Sequence, residues 1–238
     1  MSLARRAAAV AVHAYTASGA LIAWLALRSA WDHDPGTALL WLCLAVFVDA
    51  TDGFAARAVD VRRYASWIDG ARLDDIVDFL TYVFVPMAIL WEQQLLAGVP
   101  GLVAVAAVLI ASGLGFSNLH AKTLDHFFTG WPSYWNLVAV YCLAWRLSAA
   151  TTTALLLVLA ALVFVPLKYV YPSRTATLMR TSLALGAIWA VQMILIIWML
   201  PAVPAWLLWS SLLYPIYYFG LSLWLNIRPA PTPPTLSS

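Results

Sequence analysis

Asp49-Ala-Thr-Asp52-Gly53-Phe-Ala-Ala56-Arg57 closes one long apolar run, and Gly70-Ala-Arg-Leu-Asp74-Asp75-Ile-Val-Asp78 opens the next. Seven of the chain's 11 acidic residues fall between Asp49 and Asp78. Carboxylates beside apolar helices are unfavourable unless something compensates them, and multivalent cations are compact partners for them. The flanking sequence says what kind of fold holds this cluster. Of 238 residues, 63% are hydrophobic and only 10% charged. The mean hydropathy is +0.84. That much apolar surface points to an all-α polytopic transmembrane helical bundle.

Apolar runs of near-spanning length lie at roughly 10–30, 37–57, 75–92, 99–117, 134–149, 152–170, 181–200 and 203–226. The expectation is about eight transmembrane helices in one domain over residues 1–228, followed by a disordered Pro-rich tail at 229–238. Arg5 and Arg6 precede the first run. That run is long enough for a full span, which argues against a cleaved signal peptide. Cys43 and Cys142 each sit inside an apolar run and read as small core residues. A net charge of +2 gives no reason to expect a nucleic-acid partner.

With both termini placed in the cytoplasm, eleven of the 13 Lys and Arg residues fall on the cytoplasmic side. Only Arg28 and Arg146 fall outside, a strong positive-inside bias. Trp24, Trp31, Trp41, Trp91, Trp131 and Trp145 lie near span ends, as interfacial anchors do. The aspartates then belong near the cytoplasmic face of the membrane.

Asp49 and Asp52 are three apart, and Asp74 and Asp78 are four apart, so each pair shares a helical face. The first pair ends the second span and the second pair opens the third. Antiparallel neighbours joined by a short loop would bring the pairs face to face. Four converging carboxylates suit one or two Mg²⁺ or Mn²⁺ ions, which prefer oxygen ligands. Gly53, Ala56 and Gly70 leave room for a ligand, and Arg57 can bind a phosphate oxygen in a fork. Together these features describe a diphosphate site. Asp60 and Asp69 read as loop residues, and Asp75 points about 100° away from Asp74.

The pattern Asp49-x2-Asp52-Gly53-x2-Ala56-Arg57…Gly70-x3-Asp74-x3-Asp78 resembles the signature of the CDP-alcohol phosphotransferase family. The segments from Leu73 to Pro86, Pro132 to Val138 and Phe164 to Arg174 are similar to its bacterial phosphatidylcholine synthase branch, as is the long loop between Arg57 and Gly70. The resemblance implies transfer of a phosphatidyl group from CDP-diacylglycerol to choline, with release of CMP. By position, Asp49, Asp52, Asp74 and Asp78 would hold metal, with two Mn²⁺ or Mg²⁺ ions expected. Asp78 would also be the general base. Gly53, Ala56, Arg57 and Gly70 would line the nucleotide and diphosphate. The family further implies a homodimer among membrane lipids. The site would face the cytoplasm from the bacterial inner membrane.

Choline is a quaternary ammonium, so aromatic faces are its natural host. Tyr82 lies one helical turn beyond Asp78, and Tyr134, Trp135 and Asn136 open the fifth span. These four are candidate choline contacts, set against the plainer role of interface anchors. Lys122 and Arg174 are candidate lipid-phosphate contacts, set against ordinary positive-inside loop charge. His120 and His126 read as solvated loop residues. Gly113 and Gly115 read as a helix-packing face. The aspartate signature does not discriminate choline from serine, inositol or glycerol phosphate. An ion or proton transporter built on intramembrane carboxylates is the reading from another class.

Overall fold

The structure is a computed structural model that describes residues 3–118, 127–170, 175 and 177–227. Lys122, Arg174, His120, His126 and the tail at 229–238 lie outside the described residues. Among the described residues the regular structure is helical, apart from one two-stranded antiparallel ribbon. The helices are α1 (Leu3–Trp31), α2 (Pro35–Val59), the short α3 (Val61–Tyr64), α4 (Gly70–Asp78), α5 (Val85–Glu92) and α6 (Gly98–Phe116). They continue as α7 (Trp135–Ala144), α8 (Ala149–Leu162), α9 (Met179–Trp198), α10 (Ala205–Ser211) and α11 (Leu213–Ile227). Strands β1 (Phe127–Thr129) and β2 (Lys168–Val170) pair with Phe127 opposite Val170.

Four helices, α1, α2, α6 and α9, are each long and apolar enough to cross a membrane, and they mark a membrane protein. The third apolar run is one unbroken rod from Gly70 to Glu92, because a π-helical segment at Phe79–Phe84 joins α4 to α5. Val85 donates to the Leu80 carbonyl, five residues back. Pro86, which has no N–H to give, follows at once, and a widened turn accommodates it. Helices α7 and α8 are shorter than the runs at 134–149 and 152–170 suggested. Between them Arg146 turns back with a positive φ, and Ser148 caps α8 by accepting from Thr151 N–H.

Local chemistry sets the ends of the helices that carry the aspartates. Asp34 caps α2 by accepting from Thr37 N–H at 2.9 Å, and Pro35 follows in the first turn, where no donor is needed. Asp60 ends α2 in the left-handed conformation, its N–H on the Ala56 and Arg57 carbonyls. Asp69 caps α4 by accepting from Arg72 N–H at 3.1 Å. The chain therefore reverses between Arg57 and Gly70, and α2 and α4 both present aspartates at the same end of the bundle.

Two buried clusters hold the helices together. One gathers Ala26, Leu39, Leu42, Ile89, Ile196 and Leu207 from α1, α2, α5, α9 and α10. The other gathers Met87, Leu90, Val108, Trp135 and Leu156 from α5, α6, α7 and α8. Helices α5 and α7 contribute to both. Alanines let α1 lie close along α2, and Gly19 lets it lie close to α4, where a Cβ would overlap the Val77 side chain. That approach carries α1 to the aspartate end of the bundle.

Candidate active site

Asp49 from α2 and Asp74 and Asp78 from α4 converge, each half-buried, with carboxylate oxygens within 4.8 Å of one another. Asp78 Oδ1 is buried and has no hydrogen-bond partner among the described residues. Three carboxylates so close repel one another, and a buried oxygen without a donor adds desolvation. Both problems are solved by a divalent cation. The donors are all hard oxygens, so Mg²⁺ or Mn²⁺ fits them better than a thiolate-loving metal.

Asp52 stands apart from this trio. It is buried, and its Oδ2 accepts a 2.7 Å hydrogen bond from the Thr16 hydroxyl on α1. Beside it, the Tyr15 and Thr51 hydroxyls meet at 2.8 Å. His13 lies one turn before Thr16 on the same face of α1. Its ring abuts the start of α4, where a Cβ on Gly70 would come within 3.0 Å of His13 Cε1. His13 Nε2 is buried without a partner among the described residues. Thus α1, outside the aspartate pattern, forms a third wall. Its sequence signal is two polar residues three apart in a helix otherwise rich in alanine.

The remaining pattern residues follow the local backbone. Gly53 and Ala56 lie along the last turns of α2. Arg57 is exposed and folds back, with Nη1 3.4 Å from where a Gly53 Cβ would stand and the guanidinium 4.7 Å above the Phe54 ring. Asp69, beyond its capping role, meets Arg72 across an exposed 3.8 Å ion pair.

A cavity of about 640 Å³ opens beside the carboxylates, and Tyr82 belongs to both. Its hydroxyl donates to Asp49 Oδ2 at 2.9 Å, while its ring lines the cavity 6.4 Å from Tyr134. Asn136 lines the cavity too, although its Oδ1 also accepts from Leu137 N–H. Trp135 is not among the lining residues. It is fully buried in the core, and its indole N–H donates to Ser112 at 2.7 Å. The cavity is also lined by the aliphatic residues Leu39, Leu42, Val46, Met193 and Ile197 and by the aromatic residues Trp131, Tyr214, Tyr218 and Phe219. Sequence reasoning missed this second aromatic group.

No family model matches the chain. Among curated proteins, a phosphatidylcholine synthase of Pseudomonas aeruginosa is 37% identical over 228 residues, covering 96% of this chain and 96% of that protein. A phosphatidylcholine synthase of Bradyrhizobium diazoefficiens is 38% identical over 188 residues, 79% of this chain and 70% of the relative. One from Legionella pneumophila is 42% identical over 164 residues, 68% of this chain and 64% of the relative. With likeness at this level along nearly its whole length, the chain belongs to the phosphatidylcholine synthase family.

Proposed function

We propose that this protein is a CDP-alcohol phosphotransferase that moves a phosphatidyl group from CDP-diacylglycerol to choline, yielding phosphatidylcholine and CMP. One observation carries the reading: three carboxylates converge beside a large apolar cavity, and Tyr82 is shared between them. An apolar chamber suits a lipid, and a carboxylate cluster suits the charged end of a nucleotide diphosphate.

In this reading Asp49, Asp74 and Asp78 hold Mg²⁺ or Mn²⁺, and Asp52, fixed by Thr16, serves a second ion. Bound metal supplies charge neutralisation and Lewis acidity at the diphosphate. Gly53, Ala56 and Gly70 leave space for the nucleotide, and Arg57 swings from Phe54 to a phosphate oxygen. Asp78 accepts the proton of the choline hydroxyl. The choline oxygen bonds to the phosphatidyl phosphorus, the bond from that phosphorus to the CMP oxygen breaks, and CMP leaves with the electron pair. Tyr82, Tyr134 and Asn136 face the acceptor, while Trp135 supports them from behind. Lys122 and Arg174 contact lipid phosphate.

We read the bundle as eight spans in a bacterial inner membrane, with both termini and the site on the cytoplasmic side, and as a homodimer. The unbroken rod from Gly70 to Glu92 and the near-continuous stretch formed by α10 and α11 support spans beyond the four long helices. The positive-inside bias supports the orientation. Incubating purified protein with CDP-diacylglycerol, Mn²⁺ and each of choline, serine, inositol and glycerol phosphate tests the function. CMP release is expected with choline; release with another alcohol in preference to choline overturns the acceptor.

A further inference from the structure

We propose that Tyr218 of α11 and Trp131, just ahead of α7, complete a quaternary-ammonium cage with Tyr82 and Tyr134, and that this cage makes the site selective for a fully methylated amine. The inference rests on the choline reading above and extends it to residues far along the chain from the aspartates.

All four rings line the same cavity. Their orientations are fixed by neighbours instead of by solvent. Trp131 stacks on Phe219, centroids 5.6 Å apart and planes 14° from parallel. Tyr218 stacks on Tyr169 at 6.4 Å and 11°. Tyr82 is fixed by its hydroxyl on Asp49 and by Tyr134 at 6.4 Å. Rings already held in place lose little conformational freedom when a ligand enters, so more of each contact survives as affinity.

Among the described residues, no Lys, Arg, Asp or Glu lines this cavity. That composition chooses among acceptors. Among these described lining residues a phosphorylated alcohol finds no cationic side chain to meet its charge. A primary ammonium carries three N–H donors that lose their water and find no carboxylate in this lining, only hydroxyls and the Asn136 amide. A trimethylammonium has no donor to leave unsatisfied, and ring faces attract its charge. The position also suits choline's length. Asp78 lies one helical turn before Tyr82 in the same rod, so a hydroxyl at the base and a cation among the rings need only a short linker.

Two measurements test the cage. The first uses the wild-type protein with choline, dimethylethanolamine, ethanolamine and 3,3-dimethylbutan-1-ol, the uncharged carbon counterpart of choline. Turnover per unit concentration should fall with each lost methyl group, and the neutral alcohol should be at least about tenfold poorer than choline. Equal use of choline and the neutral alcohol overturns a cation-binding cage. The second compares Tyr218→Leu with Tyr218→Phe. Leucine should raise the KM for choline by about fivefold or more and that for CDP-diacylglycerol by clearly less, while phenylalanine, which keeps the ring, should restore most of the choline affinity. An unchanged choline KM in Tyr218→Leu overturns the role of Tyr218. If that variant does not fold, the alcohol series decides. Absence of any choline turnover by the wild type overturns the acceptor reading itself; choline turnover indifferent to Tyr218 and to charge overturns the cage alone.

Discussion

Replacing Thr16 with valine tests whether α1 belongs to the active site. The substitution keeps the side chain's shape and removes one donor, the hydroxyl that meets Asp52 Oδ2 at 2.7 Å. Both residues are buried, so water does not readily replace that donor. A hydrogen bond to a charged group contributes about 1.5–3 kcal/mol. At about 1.4 kcal/mol per factor of ten, loss of that contribution corresponds to roughly 10–100-fold in rate if the bond holds Asp52 in its working position. The assay is the initial rate of CMP release in mixed micelles, with a thermal melt as the control for folding. Thr16→Val should lower kcat/KM for CDP-diacylglycerol by about that factor and raise the Mn²⁺ concentration needed for half-maximal rate. Thr16→Ser, which keeps the donor, should recover most of the loss. Activity of Thr16→Val within about twofold of wild type refutes the reasoning, as does serine no better than valine.

Three further outcomes follow from single contacts. Asp78→Asn keeps size but cannot take a proton, so kcat should drop by about 10²–10⁴-fold while CDP-diacylglycerol still binds in an equilibrium assay. Gly19→Ala places a methyl group against Val77 and should destabilise the protein by about 1–3 kcal/mol, with part regained in the double variant Gly19→Ala, Val77→Ala on thermal melting. Asp34→Ala removes the cap of α2 and should lower stability by about 1 kcal/mol at neutral pH. The Thr37 side chain and backbone hydrogen bonds hold the Asp34 carboxyl below its ordinary value, so its contribution is present above the unfolded pKa and lost as pH falls through the folded one. The gap between wild type and Asp34→Ala should therefore close in melts as the pH falls below the ordinary carboxylate range.

The convergence of Asp49 with Asp74 and Asp78 was legible from sequence because four-residue spacing puts Asp74 and Asp78 on one face of α4, and the chain reversal after Arg57 returns α4 to the end of α2. Asp52 lies three residues from Asp49, yet Thr16 engages it from another helix. Periodicity describes a helix's own faces and says nothing about which neighbour packs on them. Trp135 illustrates the same limit. Its place at the start of α7 resembles that of Tyr134, but Ser112 on α6 gives its N–H a buried partner. Gly113 and Gly115 were read as a packing face, and a Cβ on them would stand 3.9 Å from Phe79 and 3.2 Å from Val163. Tyr218 and Trp131 gave no signal, since aromatics are 13% of the chain and most suit a membrane interface equally well. The short α7 and α8 were overestimated because hydropathy continues past the Arg146 turn and into the ribbon, where backbone conformation ends the helices.

In the proposed mechanism, choline transfer depends on a metal held by the converging carboxylates. The most direct test strips divalent ions from the purified protein with a chelator and titrates Mn²⁺ back in the presence of CDP-diacylglycerol and choline, following CMP and phosphatidylcholine together. No product is expected without metal, and equal amounts of the two products are expected once it is restored, with Asp49→Ala needing far more Mn²⁺. Undiminished turnover by metal-free protein, or no phosphatidylcholine at any Mn²⁺ concentration, would contradict this mechanism.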